Sequence, residues 1–218
     1  MDLVDDAPGP AARQDTARSR AGQENVARIL DAALDVFATF GFRGSRIDQI
    51  AAAAGLSKTN LLYYFRTKED LYLAVLQRTL DMWLEPLRAL DPARDPADAL
   101  GDYIARKLAA SRDEPAASRL FALEVIQGAP IVAPLLETTL AAIVADTAGT
   151  IEGWIEQGKL GPVSPRHLIY SIWATTQHYA DFAAQVRAIE GRDLSDPAFF
   201  AEACEHVTRT ILQGVLPR

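Results

Sequence analysis

The chain has few residues suited to disulfides or metal sites: one cysteine, Cys204, and three histidines in 218 residues. A single thiol cannot form an internal disulfide or a cysteine-built zinc site, and scattered histidines add no metal site. No run approaches the length of about 18 apolar residues that a membrane helix needs, and residues 1–10 lack a secretion signal. We therefore expect a soluble cytoplasmic protein that has no metal and no cofactor.

Positive charge is also scarce, because the formal net charge is −7. A chain this acidic has no overall attraction for nucleic acid. Residues 13–68 are the exception, with nine basic against five acidic side chains. This local excess of positive charge indicates a separate DNA-binding unit near the start of the chain.

Apolar residues between positions 25 and 40 recur every three or four residues, which predicts a helix that ends at Gly41. The inward positions are Val26, Ile29, Leu30, Ala33, Leu34, Phe37 and Phe40. Ser45 is placed to cap a second helix, and Ser57 a third one after a turn at Gly55. Three helices with a glycine turn between the last two form a helix-turn-helix unit.

The rest of the chain alternates helical patterns with proline and glycine stops and has no run typical of a β-strand. Thr67 and Asp70 are placed to cap a long fourth helix, which Pro86 should strain or end. Later helices are expected from about residues 96, 115 and 134, and the last two over about 165–186 and 196–214. The predicted fold is all-α. A disordered arm (1–22) and a three-helix DNA-binding domain (23–68) come first, and the fourth helix leads into a helical-bundle ligand-binding and dimerisation domain (69–218).

The predicted third helix carries Lys58, Thr59 and Asn60 at its tip and Tyr63 and Tyr64 near its end. In the major groove asparagine pairs with adenine, lysine reaches guanine or a phosphate, and the threonine methyl meets a thymine methyl. The tyrosines are expected to bind phosphates. Further expected DNA contacts are Arg46 and Lys68 near helix starts, and Arg18 and Arg20 in an arm that enters the minor groove. The alternative to DNA binding is that the lysines are solvated surface charges and the tyrosines pack the small three-helix core.

Residues 25–72 resemble the N-terminal domain of the TetR family of one-component transcription regulators. The resemblance rests on Phe-Gly-Phe-Arg-Gly-Ser at 40–45, the segment 47–55, the third helix at 57–65, and Lys-Glu-Asp-Leu at 68–71. Arg66 departs from the family pattern, where proline is common. The resemblance implies a homodimer that represses transcription from a palindromic operator and dimerises through its last two helices. Apolar residues expected there are Ile172, Phe182, Phe199, Phe200, Val207 and Ile211.

The remaining chain resembles the pyrimidine-utilisation branch of that family, which responds to uracil or thymine, above all over residues 172–182. Trp173, Gln177 and Asp181 share one helical face there. A glutamine amide can pair with the N–H and C=O edge of a flat imide while tryptophan covers the ring. The expected pocket is completed from other helices by Trp83, Lys107 and Arg119.

Three alternatives stay open for this second part of the chain. Trp173 can be bundle core, with Gln177, His178 and Asp181 on a polar interface or solvated face. The regulator can take a different effector. A small-molecule enzyme using His178, Asp181 and Glu124 is the remote alternative, since the chain has no Gly-rich phosphate loop, nucleophile signature or metal spacing.

Overall fold

The computed structural model describes residues 10–217, with side chains from residue 21 onwards. These residues form helices and loops with no β-strand, as the all-α prediction requires. The chain divides into two compact units, Met1–Val75 and Leu76–Arg218. No helix within the described range is long and apolar enough to cross a membrane.

The helices are α1 (Pro10–Gly44), α2 (Ile47–Ala53), α3 (Lys58–Tyr64), α4 (Lys68–Arg88), α5 (Pro96–Asp113), α6 (Pro115–Ile126), α7 (Ala133–Leu135), α8 (Ala141–Glu156), α9 (Pro165–Asp181), α10 (Ala183–Glu190) and α11 (Pro197–Val215). A π-helical turn, Leu136–Leu140, joins α7 to α8.

The first helix starts earlier than the composition predicts. The backbone of residues 10–22 is helical and continues into the rest of α1, in place of the expected disordered arm. Pro10 is the first helical residue, where its missing N–H costs little, and the following alanines favour a helix. Residues 1–9 and the side chains of Arg18 and Arg20 lie outside the described residues, so their predicted DNA contacts stay predictions.

Gly41 breaks α1 where the sequence predicts the end of the first helix. Its φ of 67° and ψ of 173° lie outside the helical region and suit glycine best. The predicted cap at Ser45 is wrong, because Ser45 Oγ donates back to the Phe42 carbonyl at 2.9 Å. Arg46 is the N-cap of α2 instead, and its backbone N–H donates to Gln49 Oε1 at 2.9 Å.

Apolar residues from α1 to α4 form the core of the first unit. The fully buried members are Ile29, Ala33, Phe37, Ile50, Leu61, Leu71 and Val75. Phe40 is 53% exposed, so the buried stripe of α1 ends at Phe37 and the inward prediction for Phe40 is wrong.

The second unit is a helical bundle around Tyr103, Ile104, Ile151 and Trp154, all buried. Trp154 Nε1 donates to the Pro92 carbonyl at 3.0 Å, which satisfies the only polar atom of that side chain.

Two helix boundaries differ from the sequence prediction. Pro86 lies inside α4, which continues to Arg88. This position is in the last turn, where proline removes only one backbone bond, the one to Met82. The single helix expected over 165–186 is two helices, because Phe182, with φ −112° and ψ 29°, leaves the helical region between α9 and α10.

Candidate DNA-binding surface and ligand pocket

Local contacts fix the start of α3. Ser57 adopts an extended conformation, with φ −73° and ψ 153°, and its Oγ accepts a bond from the Asn60 N–H at 3.1 Å. Gly55 has a φ of 67°. The predicted cap and turn are therefore confirmed, and Lys58, Thr59 and Asn60 are exposed together at the helix tip.

Contacts with α1 hold α3 in place. Leu61 is fully buried on the inner face of α3, and Arg28 from α1 donates to the Ala54 carbonyl at 2.8 Å, just before the turn. Asn25 Nδ2 donates to the Tyr64 hydroxyl at 3.1 Å. These contacts with α1 fix the orientation of α3, and so of its tip, within the unit.

The two tyrosines differ in their surroundings. Tyr63 is 82% exposed, whereas Tyr64 is half-buried and bonded to Asn25. Their rings meet edge to face with centroids 5.3 Å apart. Tyr63 is therefore free to reach a phosphate, while Tyr64 connects α3 to α1 and orients its neighbour.

Lys68 has a contact that the sequence analysis missed. Its Nζ donates to the Phe42 carbonyl at 2.7 Å and to the Ser45 carbonyl at 3.0 Å, and lies 4.6 Å from the centroid of the Phe42 ring. Two of the three ammonium donors are thus used within the protein. The structure places Lys68 as a tie between α4 and the turn over residues 41–45, with one donor left over, and its predicted DNA contact stays a prediction.

The start of α4 follows the sequence prediction. Asp70 N–H donates to Thr67 Oγ1 at 2.9 Å, and Thr67 N–H donates to Asp70 Oδ2 at 3.1 Å. This reciprocal capping box confirms the predicted cap and sets the position from which Lys68 reaches the turn.

An acidic residue stands among the exposed cations. Asp48 Oδ1 lies 3.1 Å from Lys58 Nζ, and Asp48 Oδ2 lies 3.7 Å from Arg46 NH2. The side chains of Lys58, Asp48 and Arg46 are 57%, 50% and 75% exposed. Asp48 is one of the five acidic residues counted between positions 13 and 68, and its place in the first turn of α2 was a signal for this contact.

In the second unit, a buried amine lies against an aromatic ring. Lys107 on α5 is 2% exposed, and its Nζ lies 4.7 Å from the centroid of the Trp83 ring on α4. No hydrogen bond joins this Nζ to another residue of the described range. Trp83 in turn meets Phe121 of α6 edge to face at 5.1 Å.

Helix α9 contacts α5 in the same region. Trp173 Nε1 donates to the Tyr103 hydroxyl at 2.6 Å, and Tyr103 is one turn before Lys107 on α5. Gln177 and Asp181 follow Trp173 at successive turns of α9. Both ends of this row of α9 side chains therefore interact with α5, because Asp181 is close enough to Lys107 to influence its charge.

Burial and neighbouring charges shift the pKa values of Lys107 and Asp181. Burial lowers the pKa of Lys107 to about 7, against the opposing charge of Asp181. Burial also raises the pKa of Asp181, while the Ser118 hydrogen bond and the charges of Lys107, Arg119 and His178 lower it. Ser118 Oγ is 2.5 Å from Asp181 Oδ1.

We define Trp83, Tyr103, Lys107, Trp173, Gln177 and Asp181 as the candidate pocket.

Arg119, predicted to complete the ligand site, lies near one member of the candidate pocket. It is exposed and lines a cavity of about 510 Å³ together with Asp181. Its charge also lowers the pKa of Asp181, and its predicted contact with a ligand stays a prediction. Tyr103, Ser118 and Phe121 were not among the predicted site residues, although Tyr103 precedes Lys107 by one helical turn and Ser118 adjoins Arg119.

Glu124, a candidate of the enzyme alternative, has a structural partner. Its Oε1 accepts bonds from the backbone N–H groups of Ile131 and Val132 at 2.7 and 3.2 Å. These bonds hold a loop in which Gly128 and Ala129 both have positive φ, 93° and 55°. No group of metal-binding side chains occurs in the part of the chain that the structure describes.

A three-helix unit with an exposed polar tip, followed by a larger helical bundle, defines a helix-turn-helix transcription regulator. Residues 29–75 match the family described as bacterial regulatory proteins, tetR family, and residues 76–218 match the family described as YcdC-like protein, C-terminal region. The chain belongs to the TetR family of bacterial transcription regulators.

Relatives of known name share most of the chain. It is 51% identical over 201 residues to the HTH-type transcriptional regulator RutR of Escherichia coli strain K12, covering 92% of this chain and 95% of that protein. The fold resembles the fatty acid degradation regulator FadR from Bacillus halodurans, with a TM-score of 0.66, 19% identity and coverage of 86% and 94%. It also resembles a transcriptional regulator from Rhodococcus sp. Rha1, with a TM-score of 0.64, 23% identity and coverage of 87% and 97%.

The family resemblance seen in the sequence is thereby confirmed. Because the relatives are transcription regulators and not enzymes, the alternative of an enzyme built on His178, Asp181 and Glu124 is wrong.

Replacing Lys68 with methionine tests the tie between α4 and the turn. The variant keeps an apolar stem but leaves two carbonyl oxygens without their donor, so the free energy of unfolding should fall by about 1–3 kcal/mol. Lys58→Met is the matched control, because an exposed ion pair contributes about 1 kcal/mol at most. Chemical unfolding followed by circular dichroism measures both. Equal losses in the two variants would contradict the structural role of Lys68.

The pKa of Lys107 predicts a pH-dependent stability. In the folded protein this pKa is lowered to about 7 from 10.5, so between these values the unfolded state binds more protons. The free energy of unfolding should therefore rise with pH above about 7. Urea titrations from about pH 6 to about pH 9 should show this rise in the parent and a flatter profile in Lys107→Met. Parallel profiles would show that Lys107 titrates normally.

Proposed function

We propose that this chain is a cytoplasmic repressor that binds a palindromic operator as a homodimer and is released by a small flat ligand. The proposed ligand is a pyrimidine such as uracil or thymine, and the proposed targets are genes of pyrimidine catabolism. The observation that carries the proposal is the contact between Lys107, which is 2% exposed, and the Trp83 ring, whose centroid lies 4.7 Å from the Lys107 Nζ, in a chain 51% identical to RutR.

The exposed tip of α3 supports the DNA-binding part of the proposal. Asn60 can read an adenine edge, and Lys58 and Thr59 adjoin it on the same exposed turn. Tyr63 and Arg46, both exposed, suit phosphate contacts that set the register of the protein on DNA.

A dimer is proposed because one helix-turn-helix unit covers one half-site only. Of the six apolar residues that the sequence analysis placed at the dimer interface, Ile172, Phe199 and Val207 are buried within the second unit itself. Phe182 is 53% exposed and Ile189 on α10 is 72% exposed. Exposed apolar side chains close together in sequence favour an association surface near the end of α9 and in α10.

The candidate pocket has the chemistry that a pyrimidine ring requires. Uracil has two aromatic-like faces and an edge of alternating C=O and N–H groups. Lys107 and the Gln177 amide can donate to the carbonyl oxygens, and the Gln177 carbonyl and Asp181 can accept from the N–H groups. Trp83 and Trp173 provide flat apolar surfaces for the ring. A ligand carbonyl would supply the hydrogen-bond acceptor for the buried Lys107.

Release from DNA follows from differential binding. A ligand that binds better to a conformation with wrongly spaced DNA-binding units lowers operator affinity by the ratio of its two affinities, and no further. Ligand and operator are therefore expected to weaken each other's binding by the same factor.

Two substitutions on α3 separate base recognition from phosphate binding. Asn60→Ala should relax discrimination at one base pair per half-site by about 1–3 kcal/mol. Tyr63→Phe should weaken binding to all duplexes equally, because it removes a phosphate contact. Fluorescence anisotropy with an operator selected from random duplexes, and with its single-base variants, measures both. Unchanged discrimination in Asn60→Ala would exclude α3 as the base-reading helix.

Thermal-shift titration with uracil, thymine, xanthine and unrelated ligands tests the effector. We expect a rise in melting temperature with uracil or thymine, since a ligand of the folded state stabilises it. Lys107→Met should lose most of this rise, whereas Lys159→Met, at an exposed lysine, should keep it. A shift with xanthine alone would replace the pyrimidine by another flat heterocycle, and no shift with either pyrimidine would refute this effector class.

A further inference from the structure

Asp48 is an anionic side chain within the surface proposed to face DNA phosphates. Its two carboxylate oxygens point to different cations, Lys58 at 3.1 Å and Arg46 at 3.7 Å. Lys58 is the first residue of α3 and Arg46 caps α2. One carboxylate thus pairs with a cation on α3, two residues before Asn60, and with the cation at the start of α2.

The stability of the fold gives little reason for this arrangement. All three side chains are half or more exposed, and exposed ion pairs contribute about 1 kcal/mol at most. Asp48 in the first turn of α2 also complements the helix dipole, which is a similarly small effect. A negative charge on this surface moreover repels the DNA backbone and so opposes binding.

The Asp48 carboxylate is expected to affect DNA binding more than it affects the stability of the fold, and to affect operator and non-specific DNA differently. Contacts between cations and phosphates supply essentially all non-specific affinity, and each contact adds about 0.9 to the slope of affinity against salt concentration. A carboxylate that holds Lys58 and Arg46 removes part of this sequence-independent attraction. The same contact restrains the Lys58 ammonium beside the base-reading residue, which favours one geometry at the operator.

We propose that Asp48 is a specificity-determining residue that weakens phosphate binding by Lys58 and Arg46 and positions Lys58 for operator recognition. This inference rests on the proposed DNA binding by α3. Asp48 acts through its two neighbours and needs no contact with DNA itself.

Asp48→Asn tests the inference, with Asp35→Asn as the matched control. Asp35 is an exposed acid of the same unit that forms no ion pair with a described residue, so the control removes the same charge at a different place. The probes are a duplex selected from a random library by the parent protein and a scrambled duplex of equal composition. Anisotropy titrations at several salt concentrations give both affinities and both salt slopes.

Asp48→Asn should bind the scrambled duplex about three- to tenfold more tightly, with a salt slope steeper by about 1–2. Its affinity for the selected duplex should change about twofold at most, so the ratio of specific to non-specific affinity falls. Asp48→Glu should restore the parent ratio. Asp35→Asn should leave the ratio unchanged, and all variants should melt within a few degrees of the parent.

The double variant Asp48→Asn, Lys58→Met isolates the coupling. If Asp48 acts through Lys58, removal of its charge should tighten scrambled-duplex binding less in the Lys58→Met background than in the parent. Equal effects in both backgrounds, or an unchanged specificity ratio in Asp48→Asn, would overturn the inference. Failure of the parent protein to enrich any duplex would instead refute the proposed DNA-binding function.

Discussion

The turn over residues 41–45, at the end of α1, is the constraint on which the DNA-binding unit depends. Gly41 leaves the helical region, so the chain must reverse while its backbone carbonyl groups stay satisfied. Lys68 takes two of these carbonyl oxygens, those of Phe42 and Ser45, and the Phe42 ring packs against Tyr72 at 4.9 Å. Because α2 begins only two residues after this turn, the orientation of α2, and through it of α3, follows from a contact that α4 provides.

Contacts between residues close together in the sequence were predictable in this unit, whereas contacts between distant residues were not. The Ser57 cap and the box formed by Thr67 and Asp70 were predictable, since each partner lies three residues away. The Lys68 contacts span 26 and 23 residues, and no spacing rule connects such positions before the turn is folded. Ser45 shows the same limit, because a serine before a helix has two uses, capping it or closing the preceding turn, and tertiary packing decides between them.

The residues of the candidate pocket also divide into those that were predictable from the sequence and those that were not. Helical spacing was sufficient to place Trp173, Gln177 and Asp181 on one face of α9. The partners on α5 and α6 depend on how each helix is rotated, which the spacing of one helix does not specify. Tyr103 and Ser118 were missed for this reason. Lys107 is the informative member, since a lysine is rarely buried to 2% exposure in a helical core, and its burial lowers its pKa.

The distribution of charge along the chain limits how strongly the DNA-binding unit is attracted to DNA. Residues 13–68 carry a surplus of only four positive charges in a chain whose net charge is −7. Long-range attraction to DNA is consequently weak, and Asp48 reduces it further at the tip of α3. The proposed regulator, with low non-specific affinity, would obtain its operator affinity from base contacts made by two copies at once. In this proposal binding is sensitive to the spacing of the copies, and a ligand lowers operator affinity by no more than the ratio of its affinities for the two conformations.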